Sequence, residues 1–371
     1  MLAATRSRTV ARGDRRLRAL DRTVGVALLG VAGKLRRTRP QPEVVRRIGI
    51  LKSAGIGDMI LVSGVARDVA AAFPEATIFV LAGRDNAEVA RLIEGVEVVV
   101  LPIDEPLSAV RRLRSLDLDV LLDFGQWTRV EAICSFLSGA GFTIGFETPG
   151  QRRHYCYDAT VRHSGDVHEL ENYRRLAGRF GVASQAVPRL GDPRSNGSGP
   201  PGRMVVFHLW PGGYRSELKE WPADSWRELA RRLVDSGYSI AVTGSKADAE
   251  RSERFVRSCA ALAGRVENVA GRYALSELVE LLRRSSCVVS VNTGVMHLAA
   301  AIGAPTVALN GPTSEARWGP IGERTRSVNA DLPGCGYLNL GFEYDRGRPD
   351  CMRAISVDRV ADAVFALIGD D

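Results

Sequence analysis

An α/β fold made of two similar halves is predicted from three features of this 371-residue sequence. Short apolar runs alternate with helical segments along most of the chain, which is typical of doubly wound parallel sheets. The alternation stops at a segment rich in Gly and Pro, residues 188–203, and then begins again. Polar or Gly-bearing turns follow several apolar runs, and ligands of open α/β sheets bind at such strand ends.

The charge is concentrated at the N-terminus. Residues 1–47 contain thirteen Arg and Lys against three Asp and Glu, a net charge of +10, whereas the whole chain carries +7, which leaves −3 for the rest. The basic charge therefore belongs to a leader and not to the folded part, so no nucleic acid is expected as a partner. The overall composition, 45% hydrophobic and 25% charged, is that of a globular protein.

Residues 1–46 are expected to form this basic leader. Its apolar patch, Val24–Ala32, is flanked by basic residues, Arg22 on one side and Lys34, Arg36 and Arg37 on the other. One interpretation is a membrane-surface anchor, with peripheral membrane contact through residues 1–40. The other is a disordered basic tail. A signal peptide is less consistent with the basic residues that follow the patch and with the lack of a clear cleavage site.

The first half is expected over residues 47–187. It begins with the strand Arg47–Lys52, the Gly-bearing turn Ser53–Asp58 and a helix to Phe73 that Pro74 ends. Later apolar runs predict strands, and the segments between them predict helices. The strands are 77–81, 96–101, 118–124 and 142–146, and the helices are 85–94, 106–115, 128–138 and 166–180.

Residues 188–203 are predicted to be a linker because Gly, Pro, Ser and Asn dominate them. The second half is expected over 204–355, and a C-terminal helix lies within 356–371. Strands are predicted at 204–209, 238–243, 266–270, 287–291 and 306–309, and helices at 222–236, 246–262, 275–284, 294–302 and 356–367. Two such Rossmann-like halves predict a cleft between them, with the turns 53–58, 211–219, 244–248 and 292–294 facing it.

The stretch Ser290–Ala301 is the most informative turn. A buried strand runs into Asn292-Thr293-Gly294, and an Ala-rich helix follows. Unpaired N–H groups and the helix dipole favour an anion at such a helix start. Thr293 adds a hydroxyl, and His297 lies one turn further on. This turn is therefore predicted to hold part of a phosphorylated ligand.

Two other residue types point to chemistry in the cleft. Asp58 stands at the start of a helix, where it is either an N-cap or a general base. The chain has 46 Arg but only four Lys, and Lys219 follows a Gly-rich segment that is predicted to face the cleft. A compact ammonium suits a diphosphate, and the alternative interpretation of Lys219 is a solvated surface residue.

Several other site types are not supported by the sequence. It contains no dinucleotide-binding or P-loop glycine pattern and no Gly-x-Ser-x-Gly, which disfavours oxidoreductase, NTPase and serine hydrolase functions. The six cysteines form no C-x-x-C or tight His/Cys cluster, so no metal site is expected. Reduced thiols are the default expectation, with Cys134 and Cys287 in the core.

The ordered set of motifs resembles glycosyltransferase family 9, the ADP-heptose:lipopolysaccharide heptosyltransferase-like enzymes of GT-B fold. The most specific block is Asn292–Ala301, followed by Gly303, Pro305 and Gly311-Pro312-Thr313. Weaker similarities come in the same order along the chain. They are Ile50-Leu51-Lys52 with Gly57-Asp58, Ile144-Gly145-Phe146 with His168 and Tyr173, Lys219-Glu220-Trp221-Pro222, Thr243-Gly244-Ser245 with Asp248, and Cys351-Met352.

The resemblance implies an inverting, metal-independent transfer of a sugar, such as heptose, from a nucleotide diphosphate donor to a glycan or lipid-linked acceptor. It implies that Asp58 is the base, with Lys52 and Gly57 on the acceptor side. The donor-side residues would be Lys219, Ser245, Asp248, Asn292, Thr293, Gly294 and His297. The nucleotide sugar is a co-substrate, so no cofactor is expected, and the location is cytoplasmic or peripheral at the inner face of the cell membrane.

One departure from the family pattern leaves other functions open. The family block usually opens with Asp where this chain has the uncharged Asn292. A non-catalytic nucleotide-sugar or glycan-binding protein of the same fold is one alternative, and an epimerase-like GT-B enzyme is another.

Overall fold

Two parallel six-stranded sheets face each other across a cleft in the computed structural model, which describes residues 21, 25–191, 202–341, 343–344 and 347–369. The first sheet has the order β3-β2-β1-β4-β5-β6. The second has the order β12-β11-β10-β7-β8-β9, which is the same winding. The predicted fold class, two Rossmann-like halves around a central cleft, is confirmed.

The first half contains six strands and six helices among the described residues. Its strands are Arg47–Lys52 (β1), Thr77–Ala82 (β2), Glu97–Val100 (β3), Val120–Asp123 (β4), Phe142–Glu147 (β5) and Ala159–Arg162 (β6). Its helices are Val26–Leu35 (α1), Ile56–Ala72 (α2), Ala87–Ala90 (α3), Pro106–Arg114 (α4), Arg129–Leu137 (α5) and Glu169–Phe180 (α6). A short 3-10 helix, Arg153–Cys156, precedes β6.

The second half repeats this arrangement. Its strands are Gly202–His208 (β7), Ser239–Thr243 (β8), Val266–Asn268 (β9), Ser285–Val291 (β10), Thr306–Asn310 (β11) and Thr325–Asn329 (β12). Its helices are Ala223–Asp235 (α7), Ala249–Ser258 (α8), Leu275–Arg283 (α9), Gly294–Ala301 (α10), Glu315–Trp318 (α11) and Val357–Gly369 (α12). Every residue of β10 is buried, as expected for a central strand with helices on both faces.

The two halves share a continuous apolar core along the cleft floor. Helix α10 packs on helix α2, and one hydrophobic cluster contains buried side chains from both, such as Met59 and Leu298. Glycines permit this close approach. A Cβ at Gly57 would lie 2.7 Å from Cδ2 of His297, and one at Gly294 would lie 2.8 Å from Cγ2 of Ile56.

Two edge strands and one four-residue helix differ from the sequence prediction. Strands β6 and β12 were not predicted, because they are short, half-exposed and lack a long apolar run. The helix expected over 85–94 contracts to α3, which ends after four residues. Strand β7 begins at Gly202, inside the predicted linker. Most of that linker, 192–201, lies outside the described residues, so its boundaries remain a prediction.

The interpretation of the leader as a disordered tail is wrong for Val26–Leu35. They form helix α1, whose Leu29 and Ala32 are buried against Ala132 and Tyr157 of the first half. Apolar burial on the domain stabilises a helix that would be marginal alone at this length. Residues 1–20 and 22–24 lie outside the described part of the chain.

The expectation of reduced thiols is wrong at two of the six cysteines. Cys335 and Cys351 form a disulfide between the segment after β12 and the start of the C-terminal region. The other four are buried free thiols, and they include Cys134 and Cys287, which lie in the core as expected. Burial raises the pKa of Cys287 to about 12 and so keeps it protonated.

A buried ion pair links the two halves beside the cleft. Arg317 Nη2 of helix α11 lies 2.7 Å from Glu169 Oε2 of helix α6, and the two side chains are 5% and 0% exposed. Glu169 also lies within hydrogen-bonding distance of His163 and Asn172. Burial opposes ionisation of Glu169, but the hydrogen bond with His163 and the charges of His163 and Arg317 lower its pKa overall.

Replacing Glu169 by Gln should destabilise the protein by about 3–5 kcal/mol at neutral pH, because Arg317 is left buried without its carboxylate. A carboxyl whose pKa is lowered on folding contributes stability above its unfolded pKa, about 4.3, and loses that contribution as pH falls through the folded value. The deficit of the variant should therefore shrink below about pH 4. Denaturant unfolding as a function of pH measures this difference.

Glu171→Gln is the matched control on the same helix. Its carboxylate pairs with Arg175 at 43% exposure, where an ion pair is worth at most about 0.5 kcal/mol. Equal losses for the two variants at neutral pH would contradict the role assigned to the buried pair.

Candidate active site

The cleft lies where both sheets reverse their strand order. In each sheet the order reverses between two neighbouring strands, β1 and β4 in the first half and β7 and β10 in the second. Turns that follow such strands meet at one edge, which is the usual ligand site of open α/β sheets. The resulting cleft has a volume of about 810 Å³, within the range of sites for small ligands.

Most of the predicted site residues line this cleft. They are Gly57, Asp58, Lys219, Ser245, Asp248, Asn292, Thr293, Gly294 and His297. The sequence missed several other lining residues, among them Asp85, Glu88, Trp210 and Trp318, and it indicated Thr313 only as part of a motif. Trp210 could have been noticed, because it lies two residues after the carboxyl end of strand β7.

Asp58 lies in the first turn of helix α2 at the cleft floor. Gly55 directly precedes this helix and has a φ of 87°, a conformation that favours glycine. A Cβ at Gly55 would lie only 2.2 Å from Asp58 Oδ2, so the turn also needs glycine for space. Gly55 occupies the N-cap position, and the interpretation of Asp58 as an N-cap is therefore wrong.

Three side-chain donors converge on Oδ1 of Asp58. Lys52 Nζ lies at 3.0 Å, Gln126 Nε2 at 2.8 Å and the Tyr173 hydroxyl at 2.8 Å. Gln126 Oε1 in turn accepts from Lys52 Nζ at 2.5 Å. This arrangement fixes the orientation of the carboxylate.

Lys52 is 2% exposed and is not part of the cleft wall. It lies beneath Asp58 and contacts the carboxylate. Gln126 was not predicted, although it follows strand β4, the neighbour of β1 at the point where the strand order reverses. Tyr173 was recognised only as part of a motif, because sequence gives no direct sign that helix α6 turns this hydroxyl toward residue 58.

Asn292 directly follows strand β10 and makes two hydrogen bonds that a carboxylate could not make. Its Nδ2 donates to Asn310 Oδ1 at 2.8 Å and to the Trp318 carbonyl oxygen at 2.9 Å. Asp, which is usual at this position in the family, would place a carboxylate oxygen against the Trp318 carbonyl oxygen. The amide at position 292 is thus explained by its neighbours in the second half.

His297 contributes a neutral imidazole, because it is 5% exposed. Burial, together with the nearby His168, lowers its pKa to about 3, and the charge of Asp58 offsets only part of this. His168 is also shifted downward, mainly by burial, while a hydrogen bond to the Gly319 carbonyl partly offsets this. At neutral pH His297 therefore offers hydrogen bonding and shape to a ligand, and not a positive charge.

Lys219 and Asp248 lie on the second-half wall. Lys219 ends a 3-10 helix, Ser216–Lys219, and its Nζ donates to the Gly212 carbonyl oxygen at 2.9 Å. Asp248 Oδ2 accepts from the Ser245 amide at 2.8 Å, and Oδ1 accepts from Arg251. Burial raises the pKa of Asp248, but the bonds from Ser245 and Arg251 lower it overall. Both oxygens of Asp248 thus have partners, one in the loop and one in helix α8.

Trp210 is fixed beside this wall. The Arg251 guanidinium lies 4.2 Å from the centre of the Trp210 ring, and the indole N–H of Trp210 donates to Ser252 Oγ at 2.7 Å.

Among the described residues, no group of three or more His, Cys, Asp or Glu side chains is arranged to hold a metal ion.

Comparison with known proteins decides the family. Residues 107–335 match the profile described as glycosyltransferase family 9 (heptosyltransferase), which is more than half of the chain. The chain belongs to glycosyltransferase family 9. Lipopolysaccharide heptosyltransferase 1 of Pseudomonas aeruginosa is 33% identical over 165 residues, which cover 40% of this chain and 44% of that relative. The chain therefore spans less than half the length of this curated family 9 relative in the alignment.

Solved structures agree on the fold of this family 9 chain. The Escherichia coli ADP-heptose LPS heptosyltransferase II superposes with a TM-score of 0.70 at 24% identity, covering 88% of this chain and 99% of that structure. The E. coli heptosyltransferase WaaC with ADP superposes with a TM-score of 0.70 at 20% identity, covering 86% and 99%. The GT-B fold is thus confirmed.

Replacing Gly57 by Ala should destabilise this family 9 chain by about 1–3 kcal/mol, because the new methyl group would overlap the buried His297 ring. The free energy of unfolding from denaturant titration measures the effect. Gly178→Ala in helix α6 is the control, because a Cβ there meets nothing within 4 Å. That change should be neutral or stabilising by up to about 1 kcal/mol. Equal stability of the two variants would show that the two halves can move apart at Gly57 without loss of free energy of unfolding.

Proposed function

We propose that this protein is an inverting glycosyltransferase that moves a sugar from a nucleotide diphosphate donor to a glycan or lipid-linked acceptor. The observation that carries the proposal is the carboxylate of Asp58, which three donors hold at the floor of the cleft opposite the start of helix α10. A fixed carboxylate facing an anion-binding helix terminus is the pair of groups that such a transfer needs.

The proposed reaction is a single displacement. Asp58 takes the proton of an acceptor hydroxyl, the hydroxyl oxygen attacks the anomeric carbon, and the bond to the nucleoside diphosphate breaks with inversion. Negative charge grows on the leaving diphosphate. Lys219 and the backbone N–H groups after Thr293 would stabilise that charge where it develops. As the family resemblance implies, no metal takes part in this scheme.

The positions of these groups suggest which half binds the acceptor and which half binds the donor. Asp58 belongs to the first half, 47–187, which we assign to the acceptor. Lys219 and the turn at 292–294 belong to the second half, 204–355, which we assign to the donor. Relatives named for ADP-heptose support this nucleotide sugar as the donor and lipopolysaccharide as the acceptor. Asp248 would reach ribose hydroxyls only if its bonds to Ser245 or Arg251 rearrange.

The alternative of a non-catalytic binding protein rested on the missing charge at Asn292. The two hydrogen bonds donated by the Asn292 side-chain amide explain why Asn stands at this position, and this explanation is compatible with activity. The epimerase alternative has no specific observation in its favour. An inner-membrane-surface location is part of the proposal.

Asp58→Asn should lower turnover by about 10²–10⁴-fold while ADP affinity is kept, because the amide cannot accept the proton. The assay is ADP release from ADP-heptose in the presence of a lipopolysaccharide-core acceptor. Asp85→Asn is the control, since it removes another carboxylate from the first-half wall of the same cleft. Full turnover in Asp58→Asn would overturn the base assignment, whereas tight donor binding without turnover in the wild type would favour the non-catalytic alternative.

Lys219→Ala should weaken ADP binding by about 1.5–3 kcal/mol, the range for a hydrogen bond to a charged group. Isothermal titration with ADP measures this directly. Lys246→Ala is the matched control, because Lys246 is an exposed lysine of the neighbouring loop and does not line the cleft. An ADP dissociation constant equal to that of the wild type would refute the role of Lys219.

A further inference from the structure

Helix α1 has one face on the protein and another in solvent. Leu29 and Ala32 are buried against helix α5 and the 3-10 helix Arg153–Cys156. On the other side, Leu28, Val31 and Leu35 are 47%, 54% and 69% exposed. The spacing of three and four residues places these three side chains on one stripe of the helix. Contiguous exposed apolar surface of this kind marks an interaction site.

The contacts of helix α1 fix the direction in which this stripe faces. Gly33 packs so closely on Tyr155 that a Cβ would lie 3.1 Å from the ring. Just beyond the helix, Arg39 forms an ion pair of 2.8 Å with Asp158, and its Nη1 donates to the Ala140 carbonyl oxygen. Contacts at Gly33 and at Arg39 thus hold the helix on the first half. The exposed stripe therefore faces outward.

The surroundings of the stripe are basic. Residues 25–39 contain four basic residues and no acidic one, and Lys34 and Arg37 are exposed. The sequence before the helix adds seven Arg and two Asp within residues 1–24. An apolar stripe bordered by cationic side chains matches the surface of an anionic bilayer, in which acyl chains lie beneath negatively charged headgroups.

The geometry favours lying on a bilayer over crossing it. Helix α1 has ten residues, which span about 15 Å, half the thickness of a hydrocarbon core. Within the described ranges, no helix combines the length and apolar character needed to cross a membrane. Tyr155 is 39% exposed beside the helix, and aromatic rings of this kind are typical of the membrane interface.

A second copy of the chain fits this surface less well. Self-association through helix α1 would bring two strongly basic leaders together, and like charges at an interface oppose binding. We propose that the exposed face of helix α1, with Lys34 and Arg37, docks the protein on an anionic phospholipid surface.

The position of the helix relates this surface to the cleft. A Cβ at Gly25 would lie 3.0 Å from Cδ of Arg129, the first residue of helix α5. Helix α5 begins directly after the turn that carries Gln126, whose Nε2 lies 2.8 Å from Asp58. The lipid-facing helix thus starts beside the helix that follows the Gln126 turn. Delivery of a lipid-linked acceptor from that side rests on the proposed function, whereas the membrane contact itself does not.

Vesicle flotation with the full-length chain tests the proposal. The vesicles contain phosphatidylcholine alone or with phosphatidylglycerol. The wild type should bind the anionic vesicles and be released by salt. The combined change Leu28→Ser, Val31→Ser and Leu35→Ser should reduce binding by about tenfold or more, since it removes the apolar contact. Lys34→Glu with Arg37→Glu should reduce it by at least about 25-fold, at roughly fivefold for each basic residue lost, because the new carboxylates add repulsion from the anionic surface.

Helix α4 supplies the matched controls. Leu107 is 74% exposed there, and Arg111 and Arg112 are exposed arginines on the same short helix. Leu107→Ser and the pair Arg111→Glu with Arg112→Glu should leave vesicle binding unchanged. All substituted positions are exposed, so the thermal unfolding midpoint should stay near that of the wild type and confirm that each variant folds.

Two outcomes would overturn the proposal. One is vesicle binding that is unaffected by either set of changes in helix α1, which would assign any binding to residues before the helix. The other is a dimer in light scattering that the Leu28, Val31 and Leu35 changes convert to a monomer while vesicle binding stays the same. That result would assign the stripe to self-association.

Discussion

The buried ion pair between Lys52 and Asp58 is the interaction on which the site depends. Both side chains are almost fully buried, and removing charges from water costs several kcal/mol unless their hydrogen-bonding groups are satisfied. Gln126 meets part of this need by accepting from Lys52 and donating to Asp58, and Tyr173 adds another donor. These partners come from β1, from the turn after β4 and from helix α6, so the carboxylate is positioned only when the first half is fully folded.

A second charged network extends below this pair. Glu131 accepts from the Ser53 hydroxyl and lies 3.8 Å from Arg153, which also pairs with Asp123 in full burial. Burial opposes ionisation of Glu131, yet the charges of Arg153 and Lys52 lower its pKa overall. The turn that carries the site is thus supported by compensated charges instead of apolar packing alone. Such an arrangement is costly if any one partner is lost.

The cleft also depends on how closely the two halves approach. Gly57 and Gly294 lie at the starts of helices α2 and α10, and each lets its helix contact the other half. The pair Glu169–Arg317 closes the same interface at its side. Because these contacts are close-packed and buried, the distance between Asp58 and the start of helix α10 is set by packing. The added helix α1 does not belong to this interface and covers the outer side of the first half instead.

The sequence by itself determined the α/β class, the two halves and the turns that face the cleft, because strand periodicity, glycines and helix starts are local signals. It also indicated Asp58, Lys219 and the Asn292–His297 turn, which tertiary structure places on one cleft. Tertiary structure alone decided the rest. Gln126 and Tyr173 approach Asp58 through contacts 68 and 115 residues apart in the chain, and no local pattern encodes such pairs. The outward direction of Leu28, Val31 and Leu35 was likewise decided by which side of helix α1 packs on the domain.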